Sequence, residues 1–143
     1  MRILVTGGAG YVGSVSVERL LEAGHEVWVL DDLSTGHASS VPEGARLVTG
    51  SFADPDAFGE VLEAGGIEAV LHCAAKSLVG ESIANPAVYY RVNVAGGIAL
   101  LDAMRRLGVQ RLVFSSTAAV YGDRKSTRLN SSHIQKSRMP SSA

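Results

Sequence analysis

Apolar and polar positions alternate in blocks along the first 122 residues. Short apolar runs, which suit strands buried on both faces of a parallel sheet, are separated by longer stretches with helical spacing. We predict five strands, at Ile3–Val5, Glu26–Leu30, Arg46–Thr49, Ala69–Cys73 and Arg111–Ser115. This β-α-β rhythm predicts an α/β fold, a Rossmann-type doubly wound parallel sheet with right-handed crossovers, ending after the fifth strand.

Three helices are predicted between the strands, at 11–23, 55–64 and 86–107. In the first, Val12, Val15 and Leu20 are expected to form the apolar side. Helix starts are predicted at Asp54-Pro55 and Asn85-Pro86. Glycines that suit helix ends follow the three segments: Gly24, Gly65, Gly66 and Gly108.

The composition changes abruptly after Gly122. Residues 1–122 hold 13 acidic and 8 basic residues and all 16 glycines, whereas residues 123–143 hold 5 basic residues, 1 acidic residue and six serines. The net charge of −1 over 143 residues therefore averages two unlike parts. We predict a partial cofactor-binding domain at 1–122 and a disordered, non-native tail at 123–143. The tail lacks aromatic residues that would stack on bases, which disfavours nucleic-acid binding.

Several protein classes are disfavoured by simple features of the chain. The single Cys73 cannot form an internal disulfide, which fits a reducing compartment. No apolar run approaches the ~20 residues of a membrane span, and the start of the chain lacks a signal-peptide pattern. We therefore expect a cytoplasmic protein that does not bind membranes.

The most specific motif is Thr6-Gly7-Gly8-Ala9-Gly10-Tyr11-Val12-Gly13, between a predicted strand and helix. This is the context that dinucleotide binding requires. Gly7 permits a tight turn, Gly10 lets the backbone approach a pyrophosphate, and Gly13 allows close packing of helix and strand. The alternative is an ordinary glycine-rich turn, while a P-loop is excluded because no Gly-Lys-Ser/Thr follows.

Two adjacent carboxylates predict the choice of dinucleotide. Asp31 ends the second strand 18 residues after Gly13, near the ~20 expected for an acid that binds the adenosine ribose. Asp32 adds negative charge, and no Lys or Arg occurs from Asp31 to Ala45. A 2′-phosphate would be repelled, so NAD is expected over NADP. The alternative role for Asp31 is a capping acid in a turn.

Motifs further along the chain carry a family resemblance. The segments are Leu71-His72-Cys73-Ala74-Ala75, Val79-Gly80-Glu81-Ser82, Asn85-Pro86, Tyr89-Tyr90 with Asn93, and Phe114-Ser115-Ser116-Thr117-Ala118-Ala119-Val120-Tyr121-Gly122. With the glycine motif, they resemble the extended short-chain dehydrogenase/reductase family, in particular the UDP-glucose 4-epimerases among its NAD-dependent epimerases and dehydratases. The resemblance extends to Gly122.

The resemblance implies both a reaction and a set of residues. In that family, bound NAD takes a hydride from the sugar C4, and the 4-keto intermediate rotates and is reduced on its other face. It implies a UDP-sugar substrate and leaves open whether the parent is a homodimer. It places Thr117 as the catalytic hydroxyl, the alternative being a strand-end hydroxyl bound by backbone. The cofactor-binding residues would be Gly7, Gly10, Tyr11, Val12, Gly13, Asp31, Asp32, Ser51, Phe52, Cys73, Ala74, Ala75, Lys76, Asn93 and Ser115.

The sequence also departs from the family pattern. Ser51 stands where an Asp usually contacts adenine, so we expect a weaker contact there. Lys76 lies beside the position of a ribose-binding lysine in some members. His72 is expected to be structural rather than a base, and no metal site is predicted because no second ligand has suitable spacing.

The general base of the family is not found in this sequence. A Tyr-x-x-x-Lys pair is needed, in which the lysine lowers the tyrosine pKa. Tyr121 and Lys125 have this spacing, but Gly122-Asp123 indicates a turn, so we reject them. We expect an inactive N-terminal fragment whose fifth strand leaves an aggregation-prone edge. The alternatives are a related nucleotide-sugar epimerase or dehydratase, and a non-catalytic NAD-binding module.

Overall fold

Five parallel strands form one sheet in the order β3-β2-β1-β4-β5. The computed structural model of the chain describes residues 1–117. The strands are β1 (Arg2–Thr6), β2 (Glu26–Asp31), β3 (Arg46–Thr49), β4 (Ala69–His72) and β5 (Arg111–Phe114). The order changes direction at β1, where successive crossovers lead to opposite sides, so the predicted Rossmann-type parallel sheet is confirmed. The predictions for the tail at 123–143 and for Tyr121 and Lys125 lie outside the described residues.

The helices match the predicted segments with one addition and one irregularity. They are α1 (Tyr11–Glu22), α2 (Pro55–Gly65), α3 (Val79–Ala84), α4 (Pro86–Tyr89) and α5 (Gly96–Arg106). The sequence did not predict α3, whose six residues are too few for a periodic signal. The helix predicted from Pro86 onward is divided by a π-helical turn at Tyr90–Ala95 between α4 and α5. A short 3₁₀ turn, Ala38–Ser40, interrupts the predicted polar loop after β2.

Two apolar clusters lie on the opposite faces of the sheet. On one face, α2 and α5 contribute Phe58, Leu62 and Leu100, which pack against Leu4 and Val70 of the strands. On the other face, Val17 of α1 packs with residues of β1 and β2, namely Ile3, Val5, Val27 and Val29. Burial on both faces explains why the strands are continuous apolar runs rather than alternating ones.

The buried side of α1 differs from the predicted one at Val12 and Val15, whereas Leu20 packs against the core cluster as predicted. Val12 and Val15 are exposed, and the residues of α1 that are fully buried are Gly13 and Val17. A Cβ at position 13 would collide with the backbone carbonyl of Gly7. The helix α1 therefore comes closest to the loop after β1 at Gly13. The helix is therefore rotated to place Gly13 and Val17 inward, a constraint that apolar periodicity alone does not reveal.

The strand β5 is exposed along its whole length among the described residues, including Val113 and Phe114. It pairs with β4 from Ala69↔Arg111 to His72↔Phe114.

No helix within residues 1–117 is long and apolar enough to span a membrane.

Candidate cofactor site

A cavity of about 350 Å³ opens at the carboxyl ends of β1, β2 and β4. Parallel strands place all their carboxyl ends at one edge, and the crevice where the strand order reverses is where such sheets bind ligands. Of the predicted cofactor-binding residues, those that line the cavity are Gly7, Gly10, Tyr11, Val12, Gly13, Asp31, Asp32, Ser51, Phe52, Cys73, Ala74, Ala75 and Lys76. Asn93 and Ser115 do not line it.

The glycine loop is built by close backbone contacts. Gly7 has a φ of 73° and donates its N–H to the carbonyl of Leu30 at 2.9 Å. A Cβ on Gly7 would lie 2.7 Å from the backbone nitrogen of Ala74. The loop therefore fits between β2 and the segment after β4 only if position 7 is glycine.

The N-terminus of α1 faces this cavity without a side-chain cap. Gly10 occupies the cap position, no side chain accepts from the first turn, and that turn holds no acidic residue. By contrast, Asp54 caps α2 by accepting from the N–H groups of Asp56 and Ala57. Free N–H groups and the positive end of the helix dipole make the start of α1 suitable for a phosphate group.

Asp31 connects the glycine loop to the loop after β2. It is 8% exposed, and its two carboxylate oxygens accept hydrogen bonds from the N–H groups of Ala9 and Leu33, both at 2.9 Å. The bond to Leu33 supports that residue at a φ of 58°, which is unusual for a non-glycine residue. Asp31 thus has the turn-capping role that the sequence offered as an alternative, and it also lines the cavity.

Asp32 and Lys76 face the same cavity from different strands. Burial alone would raise the pKa of Asp32, but hydrogen bonds from the Ser34 hydroxyl and N–H and the nearby Lys76 charge lower it overall. Lys76 is the only Lys or Arg among the cavity-lining residues described. No Lys or Arg lies near the two carboxylates along the chain, but the resemblance implied Lys76 as a residue of the same site, and the fold brings it there from 44 residues beyond Asp32.

Residues Cys73 to Leu78 follow β4 and form one side of the cavity, which we call the pocket wall. Burial raises the pKa of the Cys73 thiol, which therefore stays protonated and is a poor nucleophile. The wall has no regular secondary structure. Asn93 contacts it from outside: its amide accepts from the Lys76 N–H at 2.9 Å and donates to the Lys76 carbonyl at 2.8 Å.

Ser115 and Thr117 lie just beyond β5. The Ser115 N–H donates to the carbonyl of His72 at 3.0 Å, so this segment continues along β4. Thr117 is exposed and lies on the same edge of the sheet as the cavity, although it does not line the cavity itself. The catalytic role of Thr117 stays a prediction.

Sequence reasoning missed several residues that line the cavity: Ser34, Thr35, Gly36, Ser77, Leu78, Glu81 and Val92. The first three follow β2, and their position in the polar loop after Asp32 was an available signal. Leu78 and Glu81 come from the unpredicted start of α3, and Val92 comes from the π turn. Their positions depend on the path of the chain after β4.

His72 is a buried structural residue beneath the cavity. It is 6% exposed, its Nδ1 lies 2.6 Å from the Thr6 hydroxyl, and Phe52 and Phe114 pack against its ring. Burial lowers its pKa to about 4, so the ring is neutral at pH 7. Within residues 1–117 no three His, Cys, Asp or Glu side chains are grouped as a metal site.

Comparison with known proteins identifies the family. The family model described as "NAD dependent epimerase/dehydratase family" matches residues 3–142. The chain belongs to the NAD-dependent epimerase/dehydratase family. The match extends beyond Gly122, where we predicted that the resemblance ends, so the boundary between 1–122 and 123–143 stays a prediction.

Individual members of this epimerase/dehydratase family are also similar to the chain. A UDP-glucose 4-epimerase of Corynebacterium glutamicum is 55% identical over 123 residues, or 86% of this chain. The crystal structure of a Brucella ovis UDP-glucose 4-epimerase with NAD has a TM-score of 0.81 at 43% identity, over 85% of this chain and 37% of its own. A Thermotoga maritima UDP-glucose 4-epimerase with UDP-glucose has a TM-score of 0.79 at 37% identity, over 82% and 38%. The chain spans about 37% of the length of the Corynebacterium relative.

Proposed function

We propose that this chain is the NAD-binding part of a UDP-glucose 4-epimerase. The observation that carries the proposal is the cavity at the reversal point of the sheet, lined by the uncapped start of α1 and by Asp31 and Asp32. Relatives with the same fold and this printed name are 37–55% identical to the chain, and one was solved with NAD.

The residues of the cavity fit a dinucleotide. The N–H groups at Tyr11 and Val12 would bind the pyrophosphate. Gly10 lines the cavity and has no Cβ, so its backbone would let the pyrophosphate approach closely. Asp31 and Asp32 would accept hydrogen bonds from the adenosine ribose hydroxyls. When bound, NAD would supply the acceptor for the hydride of the sugar C4.

Thr117 would bind the sugar 4-oxygen at the far side of the site. A hydroxyl both donates and accepts a hydrogen bond, so Thr117 can hold that oxygen while its proton leaves. Tyr89 is a poor general base, because burial and the Glu81 carboxylate raise its pKa and keep its hydroxyl protonated. No tyrosine within residues 1–117 has a lysine four residues later. For this chain alone we therefore expect no interconversion of UDP-galactose and UDP-glucose.

The cofactor proposal is tested by calorimetric titration of the whole chain with NAD and NADP. We expect tighter binding of NAD, because Asp31 and Asp32 repel a 2′-phosphate. Asp31→Asn should weaken NAD binding on the order of tenfold, the effect of removing a charged hydrogen-bond acceptor. Asp56→Asn, at an exposed position of α2 outside the cavity lining, serves as the control and should bind NAD normally. Equal or tighter binding of NADP would contradict the proposal.

We further propose that the parent protein is a cytoplasmic enzyme of galactose metabolism that forms homodimers. An apolar row on the π turn and α5, which we call the α5 stripe, supports the dimer: Tyr90, Val94, Ile98 and Leu101 are 51–70% exposed. An antiparallel pair related by a twofold axis near Gly96 would set Val94 against Ile98 of the second copy. It would also set Arg91 against Asp102 of the second copy. The pairing would therefore bring apolar residues together and oppose unlike charges, although Asp102 also lies 3.8 Å from Arg105 of its own chain.

A further inference from the structure

His72 lies at the point where the central strands end and the cavity begins. It is the last residue of β4 and pairs in register with the last residues of β1 and β5, Thr6 and Phe114. Gly7 of the glycine loop follows Thr6, and Cys73 of the pocket wall follows His72. Three segments at the carboxyl edge of the sheet therefore start from one row of neighbouring residues.

The side chain and the carbonyl of His72 contact the start of these segments. Its Nδ1 lies 2.6 Å from the Thr6 hydroxyl, and its ring stacks on Phe114 with the ring centroids 5.4 Å apart. Its carbonyl accepts from the Ser115 N–H at 3.0 Å, and the Cys73 N–H donates to the Thr6 carbonyl at 3.0 Å. The glycine loop, the wall and residues 115–117 are therefore joined at His72.

This polar pair contrasts with the apolar pair two residues earlier on the same face of the sheet. There Leu4 pairs with Val70, and the two side chains are 0% and 1% exposed. Thr6 and His72 are also buried, so packing of the core does not require a hydroxyl and an imidazole at this position. A hydrogen bond is directional, whereas apolar contacts tolerate sliding. A buried hydrogen-bonded pair therefore fixes the relative position of the two strand ends.

The spacing between the glycine loop and the wall has little tolerance. A Cβ on Gly7 would lie 2.7 Å from the backbone nitrogen of Ala74, so the two segments meet through backbone atoms. On its other side the glycine loop is held to β2 independently, because the Gly7 N–H donates to the Leu30 carbonyl. Loss of the side-chain bond between β1 and β4 should therefore displace the wall and leave the β2 side of the cavity in place.

We propose that His72 is a positioning residue for the reaction site. Through Thr6 and Phe114 it sets the distance between the glycine loop, the pocket wall and residues 115–117. The inference rests on the proposed function, in which Thr117 binds the sugar 4-oxygen. A dinucleotide that spans the cavity meets the wall as well as the glycine loop, whereas a mononucleotide bound on the β2 side does not. The two ligands therefore report on the His72 contact differently.

The first test measures NAD and AMP binding to the whole chain by calorimetry. Thr6→Val keeps the shape of the side chain and removes its hydroxyl. We expect NAD to bind on the order of fivefold more weakly, the effect of losing one buried hydrogen bond, while AMP binds as before. The conservative variant Thr6→Ser retains the hydroxyl and should restore the ratio of the two affinities. Equal losses for NAD and AMP in Thr6→Val, or no loss for either, would overturn the inference.

A core variant controls for reduced stability. Val70→Ala opens a cavity in the neighbouring apolar pair and leaves the polar pair intact. It should lower the urea midpoint and keep the wild-type ratio of NAD to AMP affinity. A ratio that falls in Val70→Ala as far as in Thr6→Val would show that any loosening of the core has this effect, and would overturn the inference.

A double variant separates positioning from a merely structural role. His72→Phe keeps a ring in the stack, and combining it with Thr6→Val leaves neither member of the pair as an unpaired polar group. The double variant should therefore regain stability that the single variants lose. We expect the ratio of NAD to AMP affinity to stay low, because the directional contact is still missing. A wild-type ratio in the double variant would overturn the inference.

Amide hydrogen exchange of the nucleotide-free chain tests the contact without the cofactor. In Thr6→Val the N–H groups of Cys73 and Ser115 should exchange several-fold faster, because both are bonded to the strand ends that the pair joins. The Gly50 N–H, which donates to the end of β2, is the internal control and should exchange at the wild-type rate. Unaltered exchange at Cys73 and Ser115 would overturn the inference, whereas a wild-type chain that binds neither NAD nor AMP would refute the proposed function itself.

Discussion

At the scale of single residues, the cavity is built by side chains that also hold the backbone. Asp31 accepts from the N–H groups of Ala9 and Leu33, and Asn93 binds the Lys76 peptide, so these two polar side chains hold backbone beside the cavity. His72 is the buried example, linked to Thr6 between two neighbouring strands. Substitutions here are expected to change stability and binding together, which is why Asp31 is replaced by the near-isosteric asparagine.

His72 predicts a dependence of stability on pH. Its pKa is about 4 when folded, against 6.5 in the unfolded chain, so between these values only the unfolded chain binds the proton. The free energy of unfolding should therefore fall as the pH drops from 6.5 to about 4, by about 3 kcal/mol at most. Urea unfolding at pH 7.5, 6 and 5 measures this fall. His72→Gln lacks the titrating group and should have a shallower profile; parallel profiles would disprove the assignment.

At the scale of elements, α1 and α2 begin in different ways that match their different tasks. Both follow a strand and a turn, but α2 is capped by Asp54 and has proline at its first position, whereas α1 begins at an uncapped glycine. The capped N-terminus of α2 suits a helix whose role is to pack against the sheet. The uncapped start leaves N–H groups for a ligand, and the ligand is then expected to stabilise that end of α1.

The cap of α2 gives a prediction about stability. Asp54→Ala removes an acceptor that lies 3.0 and 3.3 Å from the N–H groups of Asp56 and Ala57. The loss should lower the free energy of unfolding by about 1 kcal/mol, measured from urea midpoints at pH 7. Asp56→Ala is the matched control, because it removes a charge near the same helix end without removing the cap, and should cost only a few tenths of a kcal/mol. Equal losses would argue against the cap.

At the scale of the whole molecule, the order of the strands decides which loops lie next to one another at the cavity. The central position of β1 places the glycine loop between the carboxylates that follow β2 and the wall that follows β4. The same topology leaves two apolar surfaces open among the described residues, the α5 stripe and β5. Either surface would favour self-association, but the two predict different assemblies. Pairing through the α5 stripe would bury Ile98 in the contact, whereas pairing of two β5 edges would leave Ile98 outside it.

Sedimentation of charge variants distinguishes the two assemblies. If the α5 stripe forms the dimer, Ile98→Glu should yield monomers, while Val15→Glu on exposed α1 should not. Arg91→Asp and Asp102→Arg should each weaken the dimer, and the double variant should restore it because the two charges exchange places. Association that persists in Ile98→Glu would instead indicate that the copies pair through β5.

The sequence by itself determined the elements whose signals are local. The bounds of β3 were predicted without error, the glycine motif located the turn after β1, and Asp54-Pro55 located the start of α2. Each depends on backbone preferences within a few residues, such as a buried apolar run, a positive φ or a cap. The family could be predicted from the glycine motif and the motifs that follow it, because these residue types are the ones that the tight turns of the fold require.

Only the tertiary structure decided which distant residues meet. The close approach of Gly13 to Gly7 turns Val17 of α1 inward and leaves Val12 and Val15 exposed. Glu81 and Val92 reach the cavity from α3 and the π turn, and Asn93 binds the wall through that turn, which has no periodic signature. These contacts depend on strand order and on the path of the chain between strands. Apolar periodicity reports which residues are buried, but not which buried or polar residues become neighbours.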